Sequence, residues 1–179
     1  MTGNGWDDIL EPGEELLWQG QPDPRPDWRA QTLRETLFGL AVTVFSLFWM
    51  AKALGIGADA SFMGLVFPLM GLPFLVMGLS RAGGKIALGV WRRRHTWYSL
   101  TNRRAFIATN LLGRRTLDAY PIGPVTPLDH EEGPPDHIWF ATDFVKTAQG
   151  SKRRRIGFTH LPDSRAVYDR MRRLQREAL

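Results

Sequence analysis

Two uncharged stretches constrain what this chain can fold into more than any other feature. Thr36 to Ala51 (TLFGLAVTVFSLFWMA) carries no ionisable side chain. Continued past Lys52 to Ala58 it is 23 residues long, roughly 34 Å as a helix, against a bilayer hydrocarbon core of about 30 Å. Ser61 to Leu79 (SFMGLVFPLMGLPFLVMGL) adds 19 uncharged residues, roughly 28 Å as a helix. Neither run has the polar face that a surface helix of a soluble protein needs. Lys52 sits near the end of its run, where the ammonium reaches water along its apolar stem. Pro68 and Pro73 are tolerated in a membrane helix because neighbours satisfy the freed carbonyls. Gly39, Gly64, Gly71 and Gly78 suit close helix packing in lipid. The sequence therefore predicts a transmembrane hairpin over 36–80, with spans at about 36–58 and 61–79.

The overall numbers conceal this. The chain has 179 residues, is 44% hydrophobic and carries a net +5, values ordinary for a soluble protein. Divided, it is three unlike blocks. Residues 1–35 hold eight acids and three bases, 36–80 only Lys52 and Asp59, and 81–179 nineteen bases and nine acids. An acidic head, a neutral apolar middle and a strongly basic tail follow. The absence of cysteine excludes a disulfide scaffold, a thiolate metal site and a cysteine nucleophile, and fits a reducing compartment.

Charge also predicts topology. The connector Gly55–Ala60 is short and has no base. Arg25, Arg29 and Arg34 precede the hairpin, and Arg81, Lys85, Arg92, Arg93 and Arg94 follow it. The positive-inside rule then places both termini in the cytoplasm of a multi-pass inner-membrane protein. Trp28, Trp91 and Trp97 fall near the inner boundary and Trp49 near the outer one, as interfacial aromatics do. The first apolar run begins after an acidic head, which is not the pattern of a secretory signal peptide.

Residues 81–95 read as a basic juxtamembrane segment, and 96–179 as a domain of short strands. Alternation and β-forming residues predict strands at 96–101, 104–110, 116–122, 125–129, 137–145 and 154–159. Asn102-Arg103, Leu112-Gly113-Arg114 and Gln149-Gly150-Ser151 read as turns, and 130–136 as a Pro- and Gly-rich loop. In the head, 14–21 reads as a further strand, with Leu16, Leu17 and Trp18 packing on the tail domain, before a linker made extended by Pro22, Pro24 and Pro26. About seven short strands form a small sandwich or barrel. A closing helix over 163–178, capped by Asp163 or Ser164, sets Val167, Met171, Leu174 and Ala178 at helical spacing over the barrel's open end.

Three segments carry a resemblance. Tyr98-Ser99-Leu100-Thr101-Asn102-Arg103-Arg104 resembles the Y-x-L-T-N-x-R hairpin of bacterial pleckstrin-homology-like (PH-like) membrane proteins, with Tyr98, Leu100, Thr101, Asn102 and Arg104 as motif positions. Pro12-Gly13-Glu14 through Leu17-Trp18-Gln19-Gly20-Gln21-Pro22 is similar to the segment before their first span. Phe158-Thr159-His160-Leu161-Pro162 is similar to their last strand and helix start. The resemblance implies a PH-like barrel of two packed sheets, mainly β with a capping helix, joined to a transmembrane hairpin. It implies no settled activity.

Candidate chemistry is sparse. His130 and His137 with Asp129, Glu131, Glu132 and Asp136 lie in a loop without metal-ligand spacing. Gly83-Gly84-Lys85 has Leu79 and Ile86 where a phosphate loop needs Gly and Ser or Thr. No nucleophile elbow is present. No catalytic, cofactor or metal residues are assigned, and the chain is read as non-enzymatic. The basic clusters are the informative groups. Arg92, Arg93 and Arg94 are candidate contacts for anionic lipid. Arg103, Arg104, Arg114, Arg115, Lys152, Arg153, Arg154 and Arg155 fall at expected turns and form a candidate basic face. The two-residue Asn102-Arg103 turn lacks the longer basic loop with which PH domains hold phosphoinositides, so specific headgroup binding is not expected. Nor is nucleic-acid binding, since no module for it is present. The expected function is an interaction module at the inner leaflet that binds a protein partner or itself, with the bilayer as its other contact. The competing expectation is an accessory subunit of a membrane enzyme or transporter in which the hairpin works through Lys52 and Asp59.

Overall fold

The computed structural model describes residues 6, 8–56, 62–147 and 150–177. In chain order the elements are β1 (Leu16–Gly20), α1 (Leu33–Ile56), α2 (Phe62–Leu69), α3 (Leu72–Leu79), α4 (Lys85–Arg94), β2 (Thr96–Thr101), β3 (Arg104–Leu111), β4 (Arg114–Pro121), β5 (Asp129–Glu131), β6 (His137–Thr147), β7 (Gly150–Thr159) and α5 (Ser164–Glu177). They divide into two compact units: Met1–Pro24 with Arg92–Leu179, and Arg25–Trp91. Of the expected connector, Gly55 and Ile56 end α1, while residues 57–60, Asp59 among them, lie outside the described residues, as does Ala178.

The helical unit has two helices long and apolar enough to cross a membrane, Leu33–Gly55 and Val66–Arg94. The first begins three residues ahead of the expected span. The second runs fifteen residues past Leu79, so the segment expected only as a basic juxtamembrane stretch is helical over Lys85–Arg94. Only 22% and 17% of their most apolar windows are buried. Core helices of a soluble protein bury most of such a face, whereas here Leu40, Val44, Phe48, Leu54, Phe74 and Val76 all point outward.

The second helix is interrupted where the prolines require it. Pro68 stands inside α2 and Pro73 in the first turn of α3. A proline donates no backbone hydrogen bond and crowds the preceding turn. At the join Gly71 N–H reaches only three residues back, to Pro68 O, at 3.0 Å. A π-helical turn over Ser80–Gly84 contains Gly83 at φ 139°. Small residues let the helices touch: a Cβ on Gly78 would lie 2.6 Å from Thr43 Oγ1 and 2.7 Å from Thr43 N. Thr43 Oγ1 donates to Gly39 O at 2.8 Å, so the hydroxyl at this contact is satisfied within its own helix.

The other unit is seven strands in two antiparallel sheets, β1-β2-β3-β4 and β5-β6-β7, with α5 against them. The head strand joins the first sheet at its edge, pairing Trp18 with Leu100 and Gly20 with Tyr98. The whole helical unit is therefore inserted between two hydrogen-bonded neighbours. The core comprises Tyr98, Leu100, Ala105, Ile122, Ile138, Phe140, Phe158, Leu161, Val167 and Met171. Phe158 is its centre: Tyr98 stacks on it at 4.7 Å, Phe140 meets it edge-on at 5.1 Å, and Trp18 lies at 5.8 Å. Phe140 forms a bulge against β7. Beside it Gly157 has no room for a side chain, since a Cβ would fall 2.0 Å from Ile138 O.

Two expectations are corrected here. The strand placed at 125–129 is displaced to Asp129–Glu131. Pro124 and Val125 turn instead, with Gly123 N–H donating to Thr126 Oγ1 at 2.9 Å and Thr126 N–H to Gly123 O at 3.0 Å. The turn expected at 149–151 takes Ser151 into β7, which starts at Gly150 and carries Lys152–Arg155 as strand. The charges persist there because β6 supplies paired backbone and, at Asp143, an acid opposite Arg154.

Replacing Phe158 by alanine removes the ring on which three aromatic contacts converge. We expect a loss of about 3–5 kcal/mol, measured as a lowered melting temperature of the full chain by near-ultraviolet circular dichroism. A change under about 1 kcal/mol would show that the two sheets do not depend on this contact.

Candidate functional site

The candidate basic residues do not form one cluster. β3 runs from Arg104 to Leu111, about 26 Å at the usual rise of a strand. Arg103 and Arg104 stand at one end of it, and Arg114 and Arg115 follow the turn at the other, where Leu111 pairs with Arg114. Arg92, Arg93 and Arg94 form the last turn of α4, where cations complement the helix dipole.

Several of these bases are already engaged. Arg154 pairs with Asp143 at 3.2 Å. Arg155 pairs with Asp129, lies 3.4 Å from Glu131 Oε2 and covers the Trp139 ring at 4.6 Å. Arg103 reaches Glu11 at 3.4 Å. Among the described residues, no acid pairs with Arg114, Arg115, Lys152 or Arg153, and all four are exposed. The basic surface open to a partner is thus the β3–β4 turn and the outer part of the β6–β7 hairpin.

Arg104 has a different task. Its guanidinium grips Glu14 through two bonds, Nε to Oε1 at 3.1 Å and Nη2 to Oε2. The Glu14 side chain is fully buried. Thr101 Oγ1 donates to Glu14 Oε1 at 2.6 Å, and Glu11 N–H donates to Oε2 at 3.0 Å. Thr101 Oγ1 in turn accepts Arg104 N–H at 2.9 Å, closing the β2–β3 turn. Asn102 completes the junction. Its Oδ1 accepts Glu15 N–H at 3.1 Å and its Nδ2 donates to Gly13 O at 3.0 Å. The Arg104 guanidinium also lies 5.1 Å from the centre of the Phe106 ring, whose edge Trp6 covers at 5.5 Å.

The two segments that resembled a family separately are therefore one polar lock. Glu11, Gly13, Glu14 and Glu15 in the head meet Thr101, Asn102, Arg103 and Arg104 after the helices. The remaining motif positions face the core: Leu100 is buried, and Tyr98 OH lies 3.1 Å from Thr159 Oγ1. Sequence reading missed the lock because its halves stand 90 residues apart; a single acid inside an otherwise loop-forming tripeptide was the available signal.

A second polar group was also missed. Ser164 Oγ donates to Asp136 Oδ2 at 2.5 Å and lies 2.9 Å from His130 Nε2, while His130 Nδ1 is 3.7 Å from Glu132. The serine hydrogen bond and that from Gly133 N–H hold the Asp136 carboxyl below the usual aspartate range. Serine, histidine and acid are adjacent here, but Ser164 is 2% exposed and its hydroxyl donates to the Asp136 carboxylate. The group fastens the start of α5 to the loop before β6. The expected helix-capping serine spends its side chain on this tie. Among the described residues, no three metal-ligating side chains are grouped to hold an ion.

Family models, curated proteins and solved structures were compared with the chain, and none matches it.

The lock makes the fold acid-sensitive. The Arg104 hydrogen bonds are the main reason the Glu14 carboxyl is lowered from 4.5 to about 2. The stabilisation, about 3 kcal/mol, is present in full above pH 4.5 and is lost as the pH falls towards 2. We expect Glu14→Gln to lower stability at neutral pH by about 2–3 kcal/mol and to flatten the dependence between these pH values in urea titrations. An unchanged acid profile in the variant would count against Glu14 as its source.

Proposed function

We propose that this chain is a non-enzymatic integral inner-membrane protein that presents a PH-like interaction domain to the cytoplasm, where it holds a protein partner or a second copy of itself at the membrane surface. The observation that carries the reading is the insertion of the apolar helical unit between β1 and β2. Two adjacent strands are joined through two candidate spans, an even number, so the strands on either side of the insertion can pair only if the helices return the chain to the side it left. The basic residues that flank the spans favour the cytoplasm for that side.

The PH-like reading draws on strand order. Four consecutive strands form one antiparallel sheet, three form the other, and a closing helix packs on the shared core. The bilayer reading draws on the outward apolar surface of both long helices. The non-enzymatic reading draws on the Ser164 group, which is buried and engaged within the fold.

A C-terminal green fluorescent protein fusion should fluoresce in cells, and an alkaline phosphatase fusion at the same place should be inactive. The reverse pattern refutes the cytoplasmic placement. In native membranes, a short amine-reactive cross-linker should shift the chain to a defined higher-mass species. Recovery of monomer alone counts against the interaction role.

A further inference from the structure

We propose that the β3–β4 turn is a membrane-inserting tip: Leu112 enters the interfacial layer of the bilayer while Arg114 and Arg115 contact lipid phosphates. The inference rests on the membrane reading above and names a second place, outside the helices, where the protein meets lipid.

The turn is an unusual place for a leucine. Leu111 pairs with Arg114, which leaves a two-residue loop of Leu112 and Gly113 with φ values of 51° and 81°. Such a loop favours Asn or Gly at its first position, because a branched apolar side chain crowds the left-handed backbone. Leu112 accepts that strain and gains no burial in return, being 89% exposed. A cross-strand contact of 2.6 Å between Thr109 Oγ1 and Thr116 Oγ1 ties the two strands three residues from the tip. An apolar side chain held out on a short, pinned hairpin, followed by two arginines that pair with no acid among the described residues, has the chemistry of an interfacial anchor: hydrocarbon for the acyl boundary and cations for the phosphates.

The position of the turn in the sheet points the same way. Gly20 pairs with Tyr98, and Thr96 with Thr109. The end of β1, the start of β2 and the β3–β4 turn therefore share one end of the sheet. The chain that leaves β1 and returns at β2 there contains both candidate spans. On the same face, inward of the Asn110–Arg115 pair, Ala108 pairs with both Trp97 and Leu117, which are partly exposed. Val125 supplies the contrast. It is 95% exposed, but it follows Pro121, which pairs with Arg104 at the opposite end of the sheet, and no arginine adjoins it in the sequence.

The absence of cysteine permits a direct test on the full chain. Single variants Leu112→Cys, Val125→Cys and Val44→Cys carry a nitroxide spin label in nanodiscs of phosphatidylcholine and phosphatidylglycerol. Accessibility is read to oxygen and to a water-soluble nickel chelate. Positions 44 and 112 should be open to oxygen and shielded from nickel, with 112 the shallower, and 125 should be open to nickel. Adding Arg114→Gln and Arg115→Gln to Leu112→Cys should restore nickel access at 112. If 112 matches 125 while 44 lies in lipid, the tip does not insert and the inference fails alone. If all three are aqueous, the membrane reading fails and takes this inference with it. Unchanged shielding at 112 in the double glutamine background overturns the phosphate contact.

Discussion

A carboxylate with no exposure to water must be solvated entirely by the protein, and Glu14 is. Its two oxygens take the Arg104 fork, the Thr101 hydroxyl and the Glu11 amide. Because those donors come from the head and from the β2–β3 turn, the charge can be satisfied only when the two are in register. The head strand, the first sheet and the insertion of the helical unit between them all follow from that one requirement. Hydrophobic contacts alone would leave the edge pairing weakly specified, since β1 contributes only Trp18 to the packing around the core.

Around that junction the domain is held by a small aromatic centre and by polar ties at its rim. α5 illustrates the division. Val167 and Met171 enter the core. Gln175, also buried, donates to Gly123 O at 3.0 Å and Thr126 O at 2.7 Å, fixing the turn that displaced the expected strand. Arg170 reaches Leu17 O at 2.9 Å, so the last helix also holds the first strand. The helical unit is held differently along its length. Its α1–α3 contact relies on Gly39, Gly78 and Thr43, where backbones meet directly.

Local pattern revealed the parts whose signal is local. Apolar length marked both helical segments, and alternation marked β2 and β3 to within a residue. It failed where tertiary partners decide the outcome. Lys152–Arg155 looked like a charged turn because no sequence window shows Asp143 and the full length of β6 opposite them. The helix over Lys85–Arg94 was obscured by the glycines before it, although chain continuity from the apolar segment favours it. Turn placement at Asn102-Arg103 and Leu112-Gly113 was legible from residue type. That the two turns stand at opposite ends of β3 also follows from that pattern, yet it emerged only with the register in view. The Glu14–Arg104 and Ser164–Asp136–His130 groups were invisible for a plainer reason: their members are separated by 90 and up to 34 residues, beyond any periodicity.

The division of one sheet by the helical unit has a consequence in time. Seventy-five residues lie between Gly20 and Thr96, and a ribosome takes about 4–15 s to make them at 5–20 residues per second. Through that interval β1 has no β2 to pair with, and Glu14 has no Arg104. The head strand stays without its sheet neighbour while both helices are synthesised. Closure of the first sheet therefore comes after the inserted segment is complete, and it joins the earliest strand to one made 75 residues later.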